Sequence, residues 1–244
     1  MTPPRAVLVD MGGVLLDMQG SRGIPSGAAD WRGREALLAH LRARGAHLGR
    51  ADLERRLFGP WRRGYEERHR RGREEPWKPH LTRLRRGTGV RSRDLTLLST
   101  WFRPYADRLR PLPGSRSALA GLARRRLALA LVSNVPLPGA LYRRVLERFG
   151  LAAPFGALRF SYDEGSRKPS PSMLRSALAE LGERPEAALM VGDRRSADVA
   201  AGLAAGTRTV WVASEHDDGP EAEFTIGSIA ELPELIDRLA AGGG

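Results

Sequence analysis

Five short apolar runs constrain this chain more than any other feature: Ala6–Val9, Leu127–Val132, Ala157–Phe160, Ala188–Val191 and Thr209–Val212. They show little alternation of apolar and polar residues. A strand of that kind is covered on both faces, as strands are in a parallel sheet carrying helical crossovers. The stretches between them read as helices with start and stop signals. Pro113-Gly114-Ser115 precedes "RSALAGLARR", and Ser170-Pro171-Ser172 precedes "MLRSALAELG", which stops on Gly182. The alternation predicts an α/β fold with a doubly wound, Rossmann-like parallel sheet.

The alternation is interrupted once. For about a hundred residues after the first run no second strand is predicted, and the interval reads as helices near Gly33–Arg44, Ala51–Arg71 and Ser92–Leu109. The expected organisation is therefore a core of residues 1–16 and 110–244 with an all-helical insert, residues 17–109, placed as a cap. With 244 residues and 41% hydrophobic content the chain can bury a sizeable core. It has no cysteine, which leaves oxygen and nitrogen groups to carry any chemistry. No secretory leader is read at the start, and no apolar run reaches the roughly 20 residues that span a bilayer, so the expected place is the cytoplasm, away from membrane. The glycine tail after Ala241 is expected to fray.

The formal charge of +12 would ordinarily raise nucleic acid as a partner. It is confined to the insert: Trp31 to Arg110 holds 22 cationic against 9 acidic side chains, whereas the rest is nearly balanced, 18 against 19. Four of the five tryptophans, Trp31, Trp61, Trp77 and Trp101, lie in the same block. Arginines among aromatics suit a nucleotide base. The favoured expectation is that the tryptophans pack the insert while the arginines solvate its outside, and that nucleic acid is not a partner. Only Lys78 and Lys168 are lysines, so this chain's cationic bias is toward arginine and a retained lysine stands out.

In open parallel sheets ligands bind beyond the carboxyl ends of the strands. The residues expected there are Asp10 after the first strand, Ser133-Asn134 after the second, Arg167-Lys168-Pro169 beyond the third, and Gly192-Asp193 with Asp198 after the fourth. Acids, a hydroxyl and a cation on one rim suit a magnesium ion and a phosphoryl group.

The segments "VLVDMGGVL", "LALALVSN", "SRKPSPSML" and "LMVGDRRSADVAAGLAAG", in this order and over about 150 residues of core, resemble the haloacid dehalogenase superfamily, in its branch with a helical cap after the first strand. The resemblance implies that Asp10 attacks phosphorus to form an aspartyl-phosphate, that Ser133 and Asn134 hold the phosphate, and that Lys168 neutralises charge there. It also implies Mg²⁺ held by Asp10, Asp193 and the Gly12 backbone carbonyl, with Asp198 in support, and a small phosphorylated substrate. Oligomeric state has no signature.

One residue departs from the pattern. Where most phosphatases of that family carry an aspartate that protonates the leaving alcohol, this chain has Gly12, which keeps the carbonyl and loses the acid. General acid–base catalysis contributes typically ~10²–10⁴-fold. Three readings are open: a phosphatase with a substitute proton donor, for which Asp17, His40, His47 and His69 are candidates; a hydrolase of carbon–halogen bonds, which needs no such donor; or a protein that binds a phosphorylated ligand without turnover.

Overall fold

The computed structural model describes residues 3–18, 23–215 and 218–241; the glycine tail lies outside them. Strand β1 (Ala6–Val9) leads through a tight turn to the two-residue β2 (Leu16–Asp17), which pairs antiparallel with β3 (Arg110–Pro111). This pair marks where the chain leaves the sheet and where it returns. The large sheet is completed by β4 (Ala128–Ser133), β5 (Ala157–Phe160), β6 (Ala188–Gly192), β7 (Arg208–Val212) and β8 (Phe224–Ile226). Its order is β5-β4-β1-β6-β7-β8, with every pairing parallel. The five strands expected from the sequence are present. The edge strand β8 is a sixth, and its three residues are too few to show a pattern.

The period-2 geometry of strands splits the apolar side chains between two faces. Leu8, Ala130, Val132 and Met190 meet Met173, Leu174 and Leu178 of α9 (Ser172–Leu181) and Ala201 of α10 (Ala200–Ala205). Val7, Val9, Leu131 and Val191 face the layer of α6 (Ser115–Arg124), α7 (Gly139–Arg148) and α11 (Leu232–Ala241). A short α8 (Ser161–Glu164) follows β5. The sheet is thus covered twice, as unalternating strands require.

The interval between β2 and β3 is helical: α1 (Gly27–Arg42), α2 (Arg50–Leu53), a π turn over Glu54–Phe58, α3 (Gly59–Arg70), α4 (Trp77–Thr88) and α5 (Asp94–Ala106). Three details differ from expectation. Helix α4 was not expected; Pro79 obscures it, yet sits in the first turn, where its missing N–H costs nothing. The long helix expected over Ala51–Arg71 is present from Arg50 to Arg70, with a π turn inside it that was not expected. Helix α1 starts at Gly27 rather than Gly33, because Gly33 is a crossing point and not a start: a Cβ there would lie 2.1 Å from the Trp101 carbonyl oxygen on α5.

The tryptophans largely pack the insert. Trp61 stacks on Trp77 at 4.2 Å between ring centroids, and Phe58 lies 4.9 Å from Trp101. Trp31 is the correction: it is 54% exposed, with the Arg50 guanidinium 5.3 Å above its ring.

Residues 72–77 fasten the insert to the core. Trp77 Nε1 donates to the Pro136 carbonyl at 3.0 Å, the Trp77 N–H donates to the Tyr162 hydroxyl at 3.1 Å, and the Arg167 N–H donates to the Gly72 carbonyl at 3.2 Å. Among the described residues no helix is long and apolar enough to cross a membrane.

Replacing Gly33 with alanine forces the α1 and α5 backbones apart. Overpacking of this kind costs ~1–3 kcal/mol, and the expected result is a lower urea midpoint for Gly33→Ala at unchanged m-value.

Candidate active site

Strand register builds the site. Val9 of β1 pairs with Leu131 of β4 and Val191 of β6, so the residues immediately after them emerge side by side on one rim. The Asp10 N–H donates to the Val191 carbonyl at 2.9 Å, which extends the strand by one residue and aims the carboxylate off the sheet edge.

Lys168 ties the rim together. Its ammonium donates to Asp10 Oδ1 and the Val132 carbonyl, and pairs with Asp198 Oδ1, each at 2.6 Å. An ammonium has three protons, and all three are used. The side chain is 1% exposed. Burial would lower its pKa, but the Asp10 and Asp198 carboxylates outweigh that and hold it above the ordinary lysine value. The Asn134 amide grips the same residue from behind, donating Nδ2–H to the Lys168 carbonyl at 3.0 Å and accepting the Lys168 N–H at 2.9 Å. Both ends of that amide are thereby occupied. Ser133, at the end of β4, lines the cleft.

Two glycines let the acids approach. Gly13 has φ +74°, and a Cβ there would lie 2.2 Å from Asp193 Oδ2; a Cβ on Gly192 would lie 2.2 Å from the Asp198 side chain. Asp198 sits in a π turn, where its Oδ2 accepts the Arg194 N–H at 3.0 Å.

Asp10, Asp193 and Asp198 each present an oxygen within 4.8 Å of the others. Three carboxylates gather around one buried ammonium, and the Arg194 cation beside Asp193 offsets only part of their mutual repulsion. The strain registers on Asp193, whose pKa is pushed up to about 7 by burial and then by the Asp10 and Asp198 charges. Burial likewise raises Asp198 against the pull of Lys168. A set of hard oxygen donors with excess negative charge fits a hard divalent cation such as Mg²⁺.

These groups form the floor of a cleft of 740 Å³, whose other lining residues include Asp17, Met18, His69, Arg70, Arg167, Arg194 and Asp218. A hollow of similar size, 750 Å³, between α1, α5 and α7 contains none of the rim groups. Gly12 lies at the cleft, and a Cβ there would come 2.9 Å from Met18 Cγ, so a methionine occupies the room beside it. Of the four candidates for the lost acid, Asp17 and His69 line the cleft. His40 instead hydrogen-bonds Ser92 at 3.0 Å, and neither it nor His47 is among the lining residues.

Glu74 and Asp218 were not singled out from the sequence, and Arg167 was named only as the neighbour of Lys168 on the rim. Glu74 Oε1 accepts from Ser161 Oγ at 2.5 Å and pairs with Arg167 Nη1, so an acid from the insert is buried against the residue preceding Lys168. Burial pushes the Glu74 carboxyl up, and Arg167 and Ser161 pull against it. No short sequence motif announces such a contact across 93 residues.

An acid-lined cleft at the carboxyl edge of a doubly wound sheet is where proteins of the α/β class bind their ligands. The family model for haloacid dehalogenase-like hydrolases matches residues 4–206, and the chain belongs to that family. Among curated relatives, the ribulose-1,5-bisphosphate 5-phosphatase of Halopiger xanaduensis is 29% identical over 58% of this chain and 63% of its own length. The phosphoglycolate phosphatase of Aquifex aeolicus is 32% identical over 53% of this chain and 60% of its own length. The chain thus spans about 60% of these relatives. A 2-haloacid dehalogenase from Pseudomonas syringae pv. Tomato DC3000 shares the fold with TM-score 0.66 at 21% identity, over 96% of this chain and 99% of that one.

The charge imbalance makes opposite predictions for two substitutions in chelator. Asp193→Asn removes a repelled carboxylate and is expected to raise stability by on the order of 2 kcal/mol, while abolishing any stabilisation by added Mg²⁺. Lys168→Met leaves Asp10 and Asp198 buried without their partner and is expected to cost ~3–5 kcal/mol. Urea unfolding with and without Mg²⁺ checks both.

Proposed function

We infer that this protein is a Mg²⁺-dependent phosphatase of small phosphorylated metabolites, acting through an aspartyl-phosphate on Asp10. The observation that carries the reading is the convergence of Asp10, Asp193 and Asp198 around the saturated Lys168 ammonium on the cleft floor. The phosphatase names of the curated relatives support it. The volume of 740 Å³ suits a small metabolite. The insert, residues 17–109, acts as a cap over the core of 1–16 and 110–244, limiting access to the cleft and excluding water during the first step.

In this reading Asp10 attacks phosphorus in line, and Lys168 holds the Asp10 carboxylate in one orientation; its three protons are engaged, so it acts on the phosphoryl group through its charge and not through a hydrogen bond. Ser133 donates a hydrogen bond to the phosphate. Asn134 contributes by holding the Lys168 backbone, since its amide is already engaged there. Asp10, Asp193 and the Gly12 carbonyl would hold the metal, with Asp198 in support because both its oxygens already have partners. Bound Mg²⁺ supplies charge neutralisation between the attacking carboxylate and the phosphate dianion. Carbon–halogen hydrolysis has the weaker claim: its fold neighbour is similar in fold alone, and the crowded acids suit a cation and phosphate better.

The test is phosphate release from a panel of phosphorylated metabolites and 4-nitrophenyl phosphate, with Mg²⁺ or chelator, for the native protein and Asp10→Asn. Release is expected to require the metal and to fall at least about a thousandfold in Asp10→Asn; release that survives the substitution overturns the reading. Arg70 and Arg194 line the cleft, so KM is also expected to rise severalfold as salt screens them.

A further inference from the structure

Gly12 leaves the proposed reaction without a proton donor, and the cleft must supply one for any substrate whose leaving group is an alcohol. Among the described lining residues, Arg70, Arg167 and Arg194 carry charge but no proton they can release. Asp17 and Asp218 release protons, yet each adds a fourth carboxylate to a site already crowded by three when it is ionised. Among the described lining residues His69 is the one histidine, the side-chain type that can give up a proton as a cation and take one back as a neutral base.

Its placement is built in. His69 lies in the last turn of α3, the end at which the helix dipole favours a cation. Its ring rests 5.3 Å from Tyr65, which stacks on Trp61 at 5.0 Å, so the imidazole is anchored to the aromatic core of the insert. The Gly72 N–H then returns to the His69 carbonyl at 3.0 Å, and the Gly72 carbonyl accepts the Arg167 N–H at 3.2 Å. Three residues span at most ~10 Å, so His69 is tethered close to the residue beside Lys168. The buried pair of Glu74 and Arg167 closes the same junction.

We propose that His69 is the general acid and base of this enzyme, replacing from the helical insert the group that Gly12 lacks. The proposal rests on the phosphatase reading. When an Asp10 oxygen bonds to phosphorus, the bond from phosphorus to the leaving oxygen breaks; that oxygen keeps the electron pair and takes the imidazolium proton, leaving as alcohol. In the second step water attacks phosphorus and gives a proton to the neutral imidazole. The bond from phosphorus to the Asp10 oxygen breaks, its electron pair returns to the carboxylate, and inorganic phosphate leaves with the imidazolium restored.

The test compares kcat/KM, which reports departure of the leaving group, for alkyl phosphates and for 4-nitrophenyl phosphate, whose leaving group needs no proton. His69→Gln is expected to lose about a hundredfold on alkyl phosphates and under about threefold on the aryl ester, and imidazole in solution is expected to restore part of the loss in His69→Ala. An equal loss on both esters, or a selective loss in Asp17→Asn instead, overturns the assignment while leaving the phosphatase reading intact. Absence of Asp10-dependent release from every substrate by the native protein overturns both. Circular dichroism and melting of each variant separate misfolding from these outcomes, and a variant that folds with native selectivity counts against His69.

Discussion

A single buried ammonium organises this molecule's working edge. Lys168 meets Asp10 from β1, the Val132 carbonyl from β4 and Asp198 from the turn after β6, so one cation joins three adjacent strands at their ends. Burying that charge costs several kcal/mol unless its hydrogen bonds are satisfied, and here all three are. The constraint propagates outward. Asn134 must grip the Lys168 backbone, and Gly13 and Gly192 must lack side chains for Asp193 and Asp198 to reach the same point. The negative charge that remains makes the pocket receptive to a divalent cation.

The second dependency runs through the insert. Its apolar interior of Phe58, Trp61, Trp77 and Trp101 is also its attachment, because Trp77 both packs among the other rings and donates to Pro136 in the core. The same segment buries Glu74 against Arg167, one residue before Lys168. A side chain of the insert facing the cleft is therefore held in register with the rim. The positive charge of the block has an uneven fate. Arg34, Arg68 and Arg85 are used in ion pairs with Asp30, Glu75 and Asp94, while Arg70 turns to the cleft.

Several elements were legible from the amino-acid order alone. Strands β1, β4 and β6 announce themselves as unalternating apolar runs, and α6 and α9 by their caps, because these signals are local. Asp10, Ser133, Lys168, Asp193 and Asp198 could be nominated because a parallel sheet delivers the residues beyond its strand ends to one edge. Helix α4 and strand β8 were not legible: one begins among prolines, and the other is a three-residue edge. Gly33 misled because a glycine at a helix crossing has the same letter as a glycine at a helix start.

The sequence by itself determined the layering of the core and the order of its rim residues, which derive from periodicity along the chain, and its resemblance to a family marked position 12 as lacking a side chain. Only the tertiary structure decided that Asn134 grips Lys168, that Met18 occupies the room beside Gly12, that Glu74 is buried against Arg167, and that His69 faces the cleft while His40 turns to Ser92. Most of these contacts join residues tens of positions apart. Their partners are chosen by how helices pack and where loops close, which no local pattern encodes.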